Sequence, residues 1–116
     1  MTTYANVELN MIWGEIRQIR LFYKEDNVGV DITGSDIISE FRSPKGKNGS
    51  LILRLSTANS KIVIDDPLNG GFYLDINDAD SLLFLKAKGS WDVWIDRKAI
   101  IAGSWESEEL TSDLTI

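Results

Sequence analysis

Trp91-Asp92-Val93-Trp94-Ile95-Asp96-Arg97-Lys98-Ala99-Ile100-Ile101-Ala102 decides the fold class. Trp91, Val93 and Ile95 alternate with Asp92, Trp94 and Asp96. Side chains of a strand point to opposite faces with a period of two, so one face of this run is apolar and the other carries two carboxylates. Such a strand covers a core on one side and meets solvent on the other. Arg97-Lys98 reads as a tight turn into a second apolar run, and the two runs form a hairpin. Trp91 is then a core residue. Trp94, on the face with the aspartates, is an exposed aromatic.

The same period recurs toward the N-terminus. Phe72, Leu74 and Ile76 alternate with Tyr73 and Asp75, and the aliphatic runs Leu51 to Leu55 and Lys61 to Ile64 are bounded by turn formers. Further upstream, the polar Gly29-Val30-Asp31-Ile32-Thr33-Gly34 separates the runs Ile19 to Tyr23 and Ile37 to Phe41, which reads as strand, turn, strand. Val7, Leu9 and Met11 give the first run, and Gly14 marks a turn after it. Ile16 and Ile19 break the period by one residue, which predicts a bulge near Arg17-Gln18. The loop from Ser43 to Ser50 is expected to be the most mobile segment. One helical signal stands out: Asn77 to Leu83, small and acidic and then leucine-rich, predicts a turn or two of helix capped by Asn77 or Asp78. The whole predicts an all-β, immunoglobulin-like β-sandwich of about seven to nine short strands with one short helical turn. The sandwich is expected to span residues 1–103, and residues 104–116 to form an acidic edge strand or tail.

A chain of 116 residues suffices for one domain with its own core. It contains neither Cys nor His, which removes disulfides, thiolate nucleophiles, zinc–cysteine sites and the usual general base. Leu82 to Leu85 is among the longest apolar runs, far short of the roughly 20 residues that cross a bilayer. The opening Met1-Thr2-Thr3-Tyr4 lacks a charged start and an apolar block, so synthesis in the cytoplasm is expected. The net charge is −6, with Glu106, Glu108, Glu109 and Asp113 in the tail and no basic residue after Lys98. Lys and Arg are scattered, apart from Lys45 and Lys47, so neither nucleic acid nor membrane is an expected partner.

Asp75, Asn77, Asp78 and Asp80 form the densest oxygen cluster and are weak calcium candidates. Their spacing lacks the glycine and distal glutamate of an EF-hand loop, and acidic residues are favourable in a first helical turn anyway, so capping is the preferred reading. Asp65-Asp66-Pro67 reads as turn chemistry. Paired carboxylates can hydrolyse glycosides without His or Cys, but they need a cleft that a sandwich this small has little room for. No catalytic residue and no cofactor is assigned. Of the four tryptophans, Trp13, Trp91, Trp94 and Trp105, exposed ones would suit sugar stacking or a protein contact. Exposed aromatics are frequent interface hot spots, so Trp94, Trp105, Leu110, Leu114 and Ile116 are taken as interface candidates.

The order of elements resembles small β-sandwich proteins of the tail and baseplate of tailed bacteriophages and prophages, related to the N-terminal domain of upper baseplate proteins. The resemblance covers most of the chain. It runs from Ile19, Leu21 and Tyr23 through Val30-Asp31-Ile32-Thr33-Gly34 to Phe41-Arg42, then Leu55-Ser56-Thr57 and Lys61-Ile62-Val63-Ile64. Gly71-Phe72-Tyr73-Leu74-Asp75-Ile76, the acidic helix, Trp91-Asp92-Val93-Trp94-Ile95 and Ile101-Ala102-Gly103 complete it. The resemblance implies a non-enzymatic virion component, present in several copies, that contacts other virion structural proteins or copies of itself and is assembled in the host cytoplasm. It carries over no binding residue. A carbohydrate-binding or host-adhesion module is the alternative.

Overall fold

The computed structural model describes residues 5–12, 15, 17–43, 49–84 and 88–108. They form an all-β, sandwich-like fold with one short helix. The strands are β1 (Ala5–Asn6), β2 (Leu9–Ile12), β3 (Arg17–Phe22), β4 (Lys24–Glu25), β5 (Val28–Gly29), β6 (Ile37–Ser43), β7 (Ser50–Ser56), β8 (Ile62–Asp66), β9 (Gly71–Ile76), β10 (Lys88–Ile95) and β11 (Lys98–Glu108). The helix α1 spans Asp78–Ser81, and a 3₁₀ turn spans Pro67–Asn69. The larger sheet has the order β1-β11-β10-β6-β7, with β2 beside β11 as well, and the smaller has the order β3-β9-β8.

Alternation decides what each sheet buries. Trp91, Val93 and Ile95 of β10, Ile37, Ser39 and Phe41 of β6, and Leu53 and Leu55 of β7 point inward from the larger sheet. Ile19 of β3, Ile62 of β8 and Phe72, Leu74 and Ile76 of β9 meet them from the smaller one, in a single apolar cluster. An aromatic row crosses this core: Trp91 stacks on Phe41, Phe84 meets Phe41 edge-on at 5.0 Å, and Trp105 meets Phe84 edge-on at 5.0 Å.

The structure corrects the sequence reading at several points. The runs on either side of Gly29 to Gly34 are strands, as expected, but they do not pair with each other: β3 lies in the smaller sheet and β6 in the larger, so the segment crosses between layers and buries Ile32. The intervening β4–β5 pair turns at Asp26-Asn27, both at positive φ, and Asp31 holds the next turn by accepting from the Thr33 N–H at 2.9 Å. The ladder from Arg17 to Phe22 against β9 has no shift; bulges fall instead at Val93/Trp94, Phe41/Arg42 and Ile64/Asp66. The β10–β11 turn is Asp96-Arg97, one residue earlier than expected and also at positive φ.

The boundary placed after residue 103 moves too. β11 runs without a break through Ser104 to Glu108 and is an inner strand, with β10 on one side and β1 and β2 on the other. Gly14 and residues 44–48 of the Ser43–Ser50 loop lie outside the described residues.

Candidate functional site: the outer face around Trp94

The hairpin β10–β11 sorts its tryptophans by facing each buried indole with a glycine. Trp91 pairs with Gly103, and its indole N–H passes over that glycine to donate to Val7 O at 2.9 Å. Trp105 pairs with Gly89, and its indole N–H donates over that glycine to Arg42 O at 3.1 Å. The glycines are required by space: a Cβ on Gly103 would lie 1.8 Å from Val7 O, and one on Gly89 would lie 1.9 Å from Arg42 O and 2.4 Å from Trp105 Nε1. Each indole thus ties the hairpin to the next strand outward, β10 to the N-terminal segment and β11 to β6.

Trp105, expected at an interface, is therefore a core residue with 1% of its surface exposed. The parity of Ile101, Gly103, Trp105 and Ser107, inward positions along β11, was the signal for this. Trp94 is 41% exposed, as the register through Trp91, Val93 and Ile95 predicts. Its ring lies on the outer face of the larger sheet, with Ala99 and Ile38 as cross-strand neighbours. One row further, Asp92 lies between Ala102 and Glu40. The two alanines leave a groove of about 490 Å³ beside the ring, with Arg97 and Lys98 at one end.

Charge on this face is organised around Glu40, whose carboxylate accepts from Arg42 at 3.1 Å and from Arg54 at 3.3 Å. Asp92 is treated differently. Its Oδ1 is buried with no hydrogen-bond partner. Burial pushes its pKa up, against the weaker opposing pulls of hydrogen bonds from the Trp94 side chain and the Glu40 main chain. The face thus offers a large flat ring, small neighbours and a carboxyl that loses little water on being covered. Such a surface can hold a partner by apolar contact.

The oxygen cluster resolves into caps and an ion pair. Asn77 Oδ1 accepts from the Asp80 N–H at 2.9 Å, the capping bond expected for α1. Both oxygens of the buried Asp80 accept from Lys61 Nζ, at 2.6 and 2.7 Å. Asp75 is half-buried on β9 and Asp78 opens the helix. Among the described residues no group of three or more acidic, His or Cys side chains could hold a metal ion. Asp66 accepts from Asn69 Nδ2 at 3.1 Å, which is turn chemistry, and Asp65 pairs with Arg20.

A second polar cluster was not legible in the sequence. Lys98 Nζ donates to Tyr23 Oη and Glu25 Oε1, both at 3.0 Å, and Tyr23 Oη donates to the same Glu25 oxygen at 2.6 Å. The hydrogen bond from Tyr23 and the Lys98 charge hold Glu25 below its usual range, and the same partners raise Lys98. Positions 23 and 98 are brought together only by the packing of the two sheets. Leu110, Leu114 and Ile116 lie outside the described residues, as does Trp13. No helix among the described residues is long and apolar enough to cross a membrane.

No protein-family model matches the chain, and no curated protein matches it significantly.

Proposed function

We propose that the chain is a non-enzymatic structural component of a bacteriophage virion, in the tail or baseplate, that works through protein–protein contacts. The single observation that carries the contact reading is Trp94, a 41% exposed indole on the outer face of the sheet whose other described tryptophans are both buried. A solvent-exposed ring flanked by Ala99 and Ala102 costs solubility and brings nothing to the core, and tryptophan is the side chain most enriched among interface hot spots. The virion context rests on the resemblance in element order.

The immunoglobulin-like reading is supported by strand order. Taking β3, β6, β7, β8, β9, β10 and β11 as strands B, C, C′, D, E, F and G gives the sheets B-E-D and G-F-C-C′, the arrangement used by such sandwiches.

The second reading, a carbohydrate-binding or adhesion module, is favoured by the carboxyl of Asp92 in the groove beside the Trp94 ring. Cross-linking within purified virions, set beside a glycan array, separates the two. The proposal expects cross-links from the Trp94 face to another tail or baseplate protein, lost in Trp94→Asp, and no glycan retained. Glycan binding abolished by Trp94→Ala, with no virion cross-link, would overturn it.

A further inference from the structure

A cleft of about 630 Å³ opens between β1 and β3, on the side of the sandwich away from β7 and β8. Val7, Leu21, Phe22, Ile100 and Ile101 give it apolar walls, and the Tyr23–Glu25–Lys98 cluster lies at its rim. Among the described residues, the strand along it, β3, is paired on one side only. Tyr23 N–H donates to Gly70 O at 2.8 Å, and in an antiparallel ladder bonded pairs alternate. The main-chain groups of Arg17, Ile19 and Leu21 therefore face β9, and those of Gln18, Arg20 and Phe22 face outward.

We propose that this edge and the cleft beside it accept an extended segment of a partner protein, with apolar residues at alternate positions, which adds to β3 as a new strand of the smaller sheet. The occupant is set by the chemistry of the edge. Outward N–H and C=O groups on every second residue match an extended backbone, and the apolar walls match the side chains that such a backbone turns inward. Charge complements this. Lys24 lies over the exposed Phe22 ring, 5.8 Å from its centre, so an acidic residue suits the outward position of the segment beside it.

Two other edges, β7 and β8, are blunted against such an addition. On β7, Asn59 Nδ2 donates to Arg54 O at 3.1 Å and Asn59 Oδ1 accepts from Ser56 N–H at 3.0 Å, so a side-chain amide takes the place of a neighbouring strand. On β8, the edge carries Asp65 and Asp66 and ends at Pro67. Edges left free invite pairing unless they are blunted, and among the described residues β3 has neither a side-chain amide cap nor a proline at its end.

This inference rests on the assembly reading only in taking the occupant to be a protein segment. Its test uses the whole chain and a library of random displayed dodecapeptides. Enriched peptides should be apolar at alternate positions, and on binding should slow amide hydrogen exchange at Gln18, Arg20 and Phe22. Gln18→Pro removes an outward N–H while keeping every bond to β9, and should weaken binding by about tenfold, the worth of one main-chain hydrogen bond. Ala5→Trp, placed at the exposed cleft wall, should weaken it as much by filling the cleft, and Trp94→Ala should bind as the parent does. Should Gln18→Pro not fold, Ala5→Trp and the exchange pattern decide. No enrichment, peptides that bind Ala5→Trp like the parent, or protection outside β3 would each overturn the inference. Each of these leaves the virion cross-links through Trp94 untouched.

Discussion

Gly89→Ala should be among the most damaging small substitutions in this protein. The added Cβ would lie 1.9 Å from Arg42 O and 2.4 Å from Trp105 Nε1, and neither neighbour is free to yield. Arg42 belongs to β6, held between β7 and β10, and the Trp105 ring is fixed edge-on against Phe84 at 5.0 Å. Overpacking alone costs about 1–3 kcal/mol. Pushing the indole away also leaves a buried N–H and a carbonyl unpaired, about 1–3 kcal/mol more, so the total is about 2–6 kcal/mol. That is a large part of the roughly 5–15 kcal/mol by which a domain is stable. Gly103→Ala meets Val7 O at a similar distance, but Val7 lies between the short strands β1 and β2 and can swing away. Its cost should be about 2 kcal/mol, mainly the lost Trp91 hydrogen bond and some packing. Urea denaturation of both variants measures the difference. A loss below about 1 kcal/mol for Gly89→Ala, or a larger loss for Gly103→Ala, would refute the crossing of the indoles over the glycines.

Truncating Trp91 should cost about 3–5 kcal/mol as a core aromatic, whereas Trp94→Ala should cost under about 1 kcal/mol; equal losses in denaturant would invert the register of β10. Asp92 has a pKa raised above its ordinary 3.8, so the folded state holds the proton more tightly and stability falls as pH rises through the folded value. Asp92→Asn should therefore raise the melting temperature at neutral pH, with the gain shrinking as pH falls through the raised folded-state value toward 3.8, and a difference that stays flat from neutral pH down to 3.8 would contradict it. Asn59→Ala uncovers Arg54 O and Ser56 N–H, which should cost about 1–2 kcal/mol and promote self-association visible by light scattering. Calcium should leave the melting temperature unchanged, because Lys61 already occupies both oxygens of Asp80; a rise reversed by chelator would restore the coordination reading.

What the sequence made legible was local. The period of two through Trp91, Val93 and Ile95 correctly sorted Trp91 inward and Trp94 outward, and Asn77 before the acidic turn correctly marked a helix cap. What stayed hidden depends on partners distant in the chain. Trp105 was misplaced because Leu110, Leu114 and Ile116 drew residues 104–116 into one segment, while its burial depends on pairing with Gly89. The β4–β5 hairpin has too few apolar residues to show a period. The assignment of β3 and β6 to different sheets leaves no trace in either strand, since both alternate alike. The groove at Trp94 exists because Ala99 and Ala102 face the same side as the ring, a fact of register rather than of composition.

The central claim, that this chain is a structural part of a virion, is tested most directly by quantitative mass spectrometry of purified phage particles released by a host whose genome or infecting phage encodes the chain. The account predicts that the chain is present in several copies per particle, in fixed ratio to the tail proteins. Particles of full infectivity that lack the chain, while it is abundant in the lysate, would contradict it.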